Sequence, residues 1–170
     1  MNDIVIRKAK KGDETGIARM IKEAIKKKAW PYTGMVKYTK QKFHSLKKLL
    51  ASKSKTVIIF VAEDRVNKRI AGNSNYSFQK SGRLRHRVDI GWMVHPDYMR
   101  KGIGTRLLNA VLEDAKKKGY KRAEAEVAVE NKASLKLAKK YCFKIEGRKR
   151  KALLLDDERM VDTYVFGKLL

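Results

Sequence analysis

The run MVHPDYMRKGIGTRLL, Met93 to Leu108, decides how the rest of the chain is read. A strand-like segment ends at His95-Pro96, a basic pair follows at Arg100-Lys101, and Gly102-Ile103-Gly104 then opens a helical pattern. A helix that starts there leaves its first N–H groups without intrahelical partners, and its dipole is positive at that end. Glycine permits the tight turn and lets a ligand approach bare backbone. Arg100 and Lys101 place full charges beside those amides. The stretch reads as a cradle for phosphate or diphosphate, and equally as a purely structural glycine turn. Two familiar cradles are excluded: no GxxxxGK[ST] is present, and Leu107 stands where a GxGxxG loop needs its third glycine.

Outward from this point the periodicities alternate. Asp3 to Ala9 reads as a half-buried strand. Asp13 offers a cap for a helix carried by Ile17, Met20, Ile21, Ala24 and Ile25. WPYTGMVKY, Trp30 to Tyr38, is an aromatic loop, and Lys40 to Ser52 a second helix with Phe43, Leu46, Leu49 and Leu50 inward. Strands are expected at 56–63, 70–78 and 87–95, then a helix from Thr105 closed by Gly119. A strand at 122–129, a helix at 131–141 and strands near 143–155 and 161–168 complete the order. The expected class is α/β (α+β): about seven strands in one mixed sheet with about four helices packed on it. No linker or repeat divides residues 1–170, which are assigned to one domain.

Composition narrows the classes further. No run approaches the ~18 apolar residues of a membrane span, and the longest is VIIFVA, Val57 to Ala62. The first residues lack the apolar stretch of a signal peptide, and the single Cys142 allows no internal disulfide. The expected location is therefore cytoplasmic, with no membrane partner. Forty-two Lys and Arg against eighteen acids give a net charge of +24. Such a field draws polyanions, so a ribosome or other acidic partner is one reading, and a solvated Lys-rich surface is the other. His44, His86 and His95 lack metal-ligand spacing, so no metal is expected.

The run V-x-P-x-x-x-x-x-G-I-G-x-x-L-L, carried by Val94, Pro96, Gly102, Ile103, Gly104, Leu107 and Leu108, resembles the acetyl-CoA-binding motif of the GNAT superfamily of N-acetyltransferases. The later stretch VENKASLKLAKKYCFKIEGR resembles the family's second motif at Asn131, Ser134, Leu137 and Phe143. The resemblance implies a single-domain GNAT-like fold with a mostly antiparallel central sheet. Trp92, Met93 and Val94 would lie where two parallel strands splay, their backbone bonding the pantetheine arm and orienting the acetyl carbonyl. Arg100, Lys101, Gly102, Ile103, Gly104 and Thr105 would hold the pyrophosphate, and Asn131 the pantetheine arm or a water. Acetyl-CoA would be the acetyl donor.

Three departures from the family pattern stand out. Met99 replaces the Gln or Arg three residues before the first glycine. Ala138 stands where the family tyrosine protonates the departing thiolate; Tyr141, a turn further on, is the substitute candidate, with water as its alternative. Cys142 replaces the motif glycine and reads as a small buried filler.

For a base, Glu126 occupies the place of the catalytic glutamate in ribosomal-protein alanine N-acetyltransferases, working through water, although AEAEVAVE also reads as one polar strand face. Asp89 is a second candidate and His95, read as a loop histidine, a third. The acceptor would enter past Trp30 to Tyr38 and the tail RKRKALLLDDERMVDTYVF, walled by Tyr32, Tyr38 and Tyr164. The resemblance implies an N-acetyltransferase acting by direct attack on a protein or peptide N-terminus or another small primary amine, as a monomer or homodimer. The competing reading is a non-catalytic acyl-CoA-binding or nucleic-acid-associated module with the same fold, supported by Ala138, Met99 and the basic surface.

Overall fold

A computed structural model describes residues 3–32, 37–52 and 56–170. Seven strands and four helices follow in the expected order: β1 (Ile4–Lys8), α1 (Asp13–Lys26), α2 (Lys40–Ala51), β2 (Val57–Asp64), β3 (Arg69–Phe78), β4 (Arg87–Val94), α3 (Ile103–Lys117), β5 (Arg122–Ala128), α4 (Lys132–Lys140), β6 (Lys144–Leu154) and β7 (Met160–Leu169). A 3-10 turn, Pro96–Tyr98, leads out of β4. The strands form one sheet in the order β1-β2-β3-β4-β5-β7-β6, antiparallel except at β4 and β5.

That exception positions the site. β4 and β5 are parallel because α3 crosses between them, and they pair only at Arg87–Arg122, Val88–Ala123 and Asp89–Glu124. Beyond Asp89 the rest of β4 stays with β3, and the rest of β5 stays with β7. The sheet is split over Ile90–Val94 on one side and Ala125–Ala128 on the other.

Side-chain alternation sorts the residues onto two faces. One face packs under α3 and α4: Ala62, Tyr76, Val88, Ile90, Ala125, Val127 and Phe166 meet Leu107, Leu108, Val111 and Ala138. Leu107, Leu108 and Val111 are fully buried, each removal from water stabilising by about 1.5–3 kcal/mol. The opposite face carries a smaller cluster, in which Val61 and Ile70 meet Ile17, Met20 and Ile21 of α1 and Leu50 of α2.

Two local expectations are corrected. Asp13 is not the cap of α1 but its first residue; the cap is Gly12, in the left-handed region at φ 101°. Asp13 is drawn inward because its carboxylate takes the Lys10 N–H and the Arg7 guanidinium. α3 begins at Ile103, two residues before the expected Thr105, because Gly102 at φ 74° is already its cap.

Candidate active site

The end of β4 is oriented by its pairing. The His95 N–H donates to the Ala71 carbonyl, so antiparallel alternation turns the N–H and C=O of Met93 toward β3 and those of Trp92 and Val94 into the split. One of those groups already has a partner: the Trp30 indole N–H donates to the Val94 carbonyl at 3.0 Å. The Trp92 indole reaches across to α4 and donates to the Ser134 hydroxyl at 3.3 Å. The Asn131 side-chain oxygen caps α4 by accepting the Ser134 N–H at 3.1 Å. That bond uses one of the oxygen's two lone pairs and leaves the amide N–H groups free of it.

Past the 3-10 turn the chain makes two left-handed residues, Arg100 at φ 59° and Gly102 at φ 74°. Glycine adopts this conformation freely, whereas at Arg100 it is a strained state that the surrounding turn must hold. Nothing lies within 4 Å of where a Gly102 Cβ would stand, so the backbone there is open. Gly104 faces Leu137 and Val94, which a Cβ would meet at 3.4 and 3.6 Å. The first turn of α3 holds no acidic residue and no side-chain cap. Its unpaired amides and positive dipole end face outward beside the exposed Arg100 and Lys101. The Lys101 ammonium lies over the Tyr98 ring at 5.3 Å and donates to the Asp97 carbonyl at 3.1 Å.

His95 does lie in the connection that follows β4, but it is buried and fully engaged. It is 1% exposed, accepts the Asp97 N–H at Nδ1 (3.2 Å), and places Nε2 3.1 Å from Glu23 of α1. With Nδ1 accepting, the proton sits on Nε2 and is donated to Glu23. Glu23 also pairs with Arg19 and Arg69. This network fixes the end of β4 to α1 and leaves His95 no lone pair for base chemistry. Next to it, the Tyr98 hydroxyl donates to Asp64 at 2.7 Å.

Glu126 lies on the α1/α2 face of β5, beside the split. Thr163 donates to one of its oxygens and Lys149 to the other, both at 2.6 Å. Burial pushes this carboxyl up, but those two donors outweigh it and hold it below the usual carboxylate range. Asp89 shares the face but sits at the closed end of the split, opposite Glu124 and exposed.

Tyr141 does not point a free hydroxyl at the split. It donates to the Thr105 carbonyl at 2.7 Å and ties the end of α4 to the first turn of α3. Ala138, at the family tyrosine position, is fully buried in the core. Cys142 is exposed rather than a buried filler, and its φ of 58° shows why the motif carries glycine there: the residue ends α4 in the left-handed conformation.

A cleft of about 340 Å³ opens between Trp30–Tyr32 and the β6–β7 turn at Leu154, Leu155, Asp156, Asp157 and Arg159. Ala128, the last residue of β5, packs with Leu155, Val161 and Tyr32 at its base. Tyr32 donates to Glu130 at 3.3 Å. Residues 33–36 of the aromatic loop lie outside the described residues. Tyr164 is a correction: it faces the other side of the sheet, edge-on to Phe166, and does not wall the cleft. Among the described residues no group of three or more His, Cys, Asp and Glu could hold a metal ion.

A parallel strand pair split at its C-terminal ends, with an uncapped helix start beside it, is an arrangement whose family can be checked. The family model of the acetyltransferase (GNAT) family matches residues 22–142. The chain belongs to that family. A GNAT-family acetyltransferase structure from Streptococcus pneumoniae superposes with a TM-score of 0.84 at 25% identity, over 98% of this chain and 99% of that one. The structure of yncA from Salmonella typhimurium, solved with its cofactor acetyl-CoA, superposes with a TM-score of 0.78 at 22% identity, over 99% and 95%. In sequence, an uncharacterized N-acetyltransferase of Methanocaldococcus jannaschii is 44% identical over 50 residues, which is 29% of this chain and 22% of that protein. The matched segment thus spans under a quarter of that relative's length.

Proposed function

We propose that this GNAT chain transfers an acetyl group from acetyl-CoA to a primary amine by direct attack in a ternary complex. The observation that carries this reading is the split of β4 from β5 beyond Asp89–Glu124, with the uncapped start of α3 at the same end of β4. The residues present fit the donor: open backbone at Gly102, no carboxylate in the first turn of α3, and two basic side chains beside it suit a diphosphate. The Salmonella relative's acetyl-CoA supports the same assignment. Bound there, acetyl-CoA supplies an activated acyl carbon and a thiolate as leaving group.

The chain's own residues do the rest. The amides of Ile103, Gly104 and Thr105 hold the diphosphate, and Arg100 and Lys101 add charge. The Trp92 and Val94 N–H groups, turned into the split, orient the pantetheine arm and polarise the acetyl carbonyl; one well-placed donor of that kind is worth about 3 kcal/mol of barrier. The Trp30 bond to the Val94 carbonyl and the His95 N–H bond to Ala71 fix the peptide that follows Val94, next to these donors. The acceptor enters by the cleft between Trp30–Tyr32 and the β6–β7 turn, on the Glu126 side of the sheet. Alignment of amine and thioester is the main contribution to rate.

The electrostatics favour a weakly basic acceptor. Glu126, held low by Lys149 and Thr163, is a poor base and takes a proton only through water from an amine already close to losing it. An α-amino group, near pKa ~7.7–8.0, meets that condition, whereas a lysine side chain near ~10.4 does not. With its hydroxyl engaged by the Thr105 carbonyl, Tyr141 would not protonate the leaving thiolate, and solvent would supply that proton.

The test is thiol release with a panel of tripeptides, lysine and polyamines. Turnover with α-amines and a fall of about a hundredfold in kcat/KM for Glu126→Gln, with the acetyl-CoA KM unmoved, is expected. Acetyl-CoA binding without turnover on any amine would leave only an acyl-CoA-binding module.

A further inference from the structure

The positive charge is answered unevenly along the chain. Between Thr15 and Ser52, which take in most of α1, the aromatic loop and α2, ten Lys and Arg stand against one acid, Glu23. Glu23 is already taken by Arg19, Arg69 and His95. On α1 the burial pattern leaves Arg19, Lys22 and Lys26 on one solvent-facing line at helical spacing. On α2, which packs beside α1 through Leu46 and Leu50, Lys40, Lys47 and Lys48 are exposed. Among the described residues, no partner reaches the ammonium groups of Lys22, Lys26, Lys40, Lys47 and Lys48.

Helix α2 also breaks a rule that α1 obeys. A helix start favours anions, and α1 supplies Asp13 and Glu14 there. α2 instead carries Lys40 and Lys42 in its first turn and no acid anywhere along Lys40–Ala51. It therefore has no i,i+4 pair of opposite charge, the usual support of an exposed helix. Cations at the positive end of a dipole, with nothing to pair, disfavour the helix by themselves, and an external anion reverses that sign.

This face adjoins the acceptor's entry. The cleft is walled by Ile25 of α1 and by Lys28, Trp30 and Tyr32 just beyond it. It also touches both split strands: the Trp30 indole holds the Val94 carbonyl, and Tyr32 packs with Leu155 and Ala128. The far wall is the acidic turn that begins at Asp156 and Asp157, so an acidic chain leaving the cleft is turned toward α1. Such a chain, when extended, covers the Arg19–Lys26 line, about 10 Å long, in about three residues.

We propose that the α1–α2 face docks an acidic segment of the acceptor polypeptide, lying a few residues beyond its amino terminus. This rests on the acetyltransferase reading above and narrows its acceptors to chains with an acidic stretch after the reacting α-amine. The uncommitted cations are lysines, which act as point charges on any anion. The outward faces of α1 and α2 expose no Phe, Tyr or Trp on which a base could stack, which favours carboxylates over RNA.

The experiment compares peptides in which Ala-Ala-Ala is followed by four Glu, four Ser or four Lys. Wild type is expected to give kcat/KM in the order Glu, Ser, Lys, spanning about tenfold or more at low salt and little at about 1 M. The net field alone would give that order, so two variants of equal charge change decide. Lys22→Glu with Lys26→Glu and Lys40→Glu should abolish the order and leave the Ser peptide and the acetyl-CoA KM unmoved. It should melt no lower than wild type, since Lys40→Glu puts an acid in the first turn of α2. Arg83→Glu with Lys116→Glu and Lys117→Glu, at the closed end of the sheet, should keep the order. Equal losses in both variants, or no preference for Glu over Ser in wild type, overturn the proposal. Loss of oligouridylate binding in the first variant with the peptide order intact also overturns it and gives the face to RNA. If the first variant does not fold, Lys26→Glu alone should shrink the advantage of the Glu peptide, and an unchanged ratio overturns the proposal equally. Absence of turnover by wild type would defeat the acetyltransferase reading alone. Binding of the three peptides to the CoA-loaded protein then decides: the same order, lost only in the variant on α1 and α2, supports the face, and any other pattern refutes it.

Discussion

Helices α1 and α3 begin alike and end up opposite in kind. Each follows a left-handed glycine, Gly12 at φ 101° and Gly102 at φ 74°, and neither has a side-chain cap. At α1 the next two residues are Asp13 and Glu14, both buried. Asp13 accepts the Lys10 N–H at 2.7 Å and the fork of Arg7 at 2.7 and 2.8 Å, and Glu14 accepts the Gly12 N–H at 2.8 Å. That helix start is closed by the chain's own carboxylates. At α3 the corresponding residues are Ile103 and Gly104, flanked by Arg100 and Lys101. Its amides and dipole meet no internal anion, so the positive end is left for an external one. Under the proposed function, what sets α3 apart from α1 is not its glycine turn but a helix start that no side-chain carboxylate answers, beside a split sheet.

The comparison can be broken most severely by copying α1 into α3. Gly104→Glu puts a carboxylate at the position of Glu14, and its Cβ has room beside Leu137 and Val94. Like charges a few ångströms apart cost several kcal/mol even in a partly wet site, so CoA affinity by calorimetry should fall at least about a hundredfold with the fold retained. Unchanged affinity would place the diphosphate elsewhere. A gentler break is Arg100→Glu with Lys101→Glu. CoA binding should weaken about tenfold or more at low salt and much less for the pantetheine fragment without phosphates. Equal losses would make the pair mere surface.

On the α1 side the comparison is sharpened by Asp13→Asn, which should leave CoA binding alone and cost about 2 kcal/mol of stability at neutral pH. Burial pushes the Asp13 carboxyl up, but Arg7 and the Lys10 N–H outweigh it and hold it below its ordinary 3.8. A carboxyl lowered by folding stabilises above its unfolded value and loses that contribution as pH falls through its folded one. Melting curves of wild type and Asp13→Asn should therefore differ at pH 7 and converge as the pH drops below 3.8. Asp64, held down to about 2 by Asn67 and Tyr98, keeps its contribution to lower pH than Asp13 would with an ordinary value.

What the sequence shows of this follows from range. The glycines of Met93–Leu108 and the helical and strand periods are local signals, and they placed every element to within a few residues. The opposite fates of the two helix starts are only half local. Asp13 and Glu14 are visible beside Gly12, but the Arg7 fork is a tertiary contact. His95 looked like an unengaged loop residue because its partner Glu23 lies 72 positions away. Tyr164 looked available to the acceptor because its face depends on the register of β7 against β5. Cys142 looked like a filler because composition does not reveal a left-handed φ.

The most direct test follows backbone amides of the isotope-labelled protein by NMR while CoA is added. The account predicts large shifts at Ile103, Gly104 and Thr105 and at Trp92 and Val94, with Asp13 and Glu14 unmoved. Shifts confined to other parts of the molecule, with the start of α3 silent at saturating CoA, would contradict it.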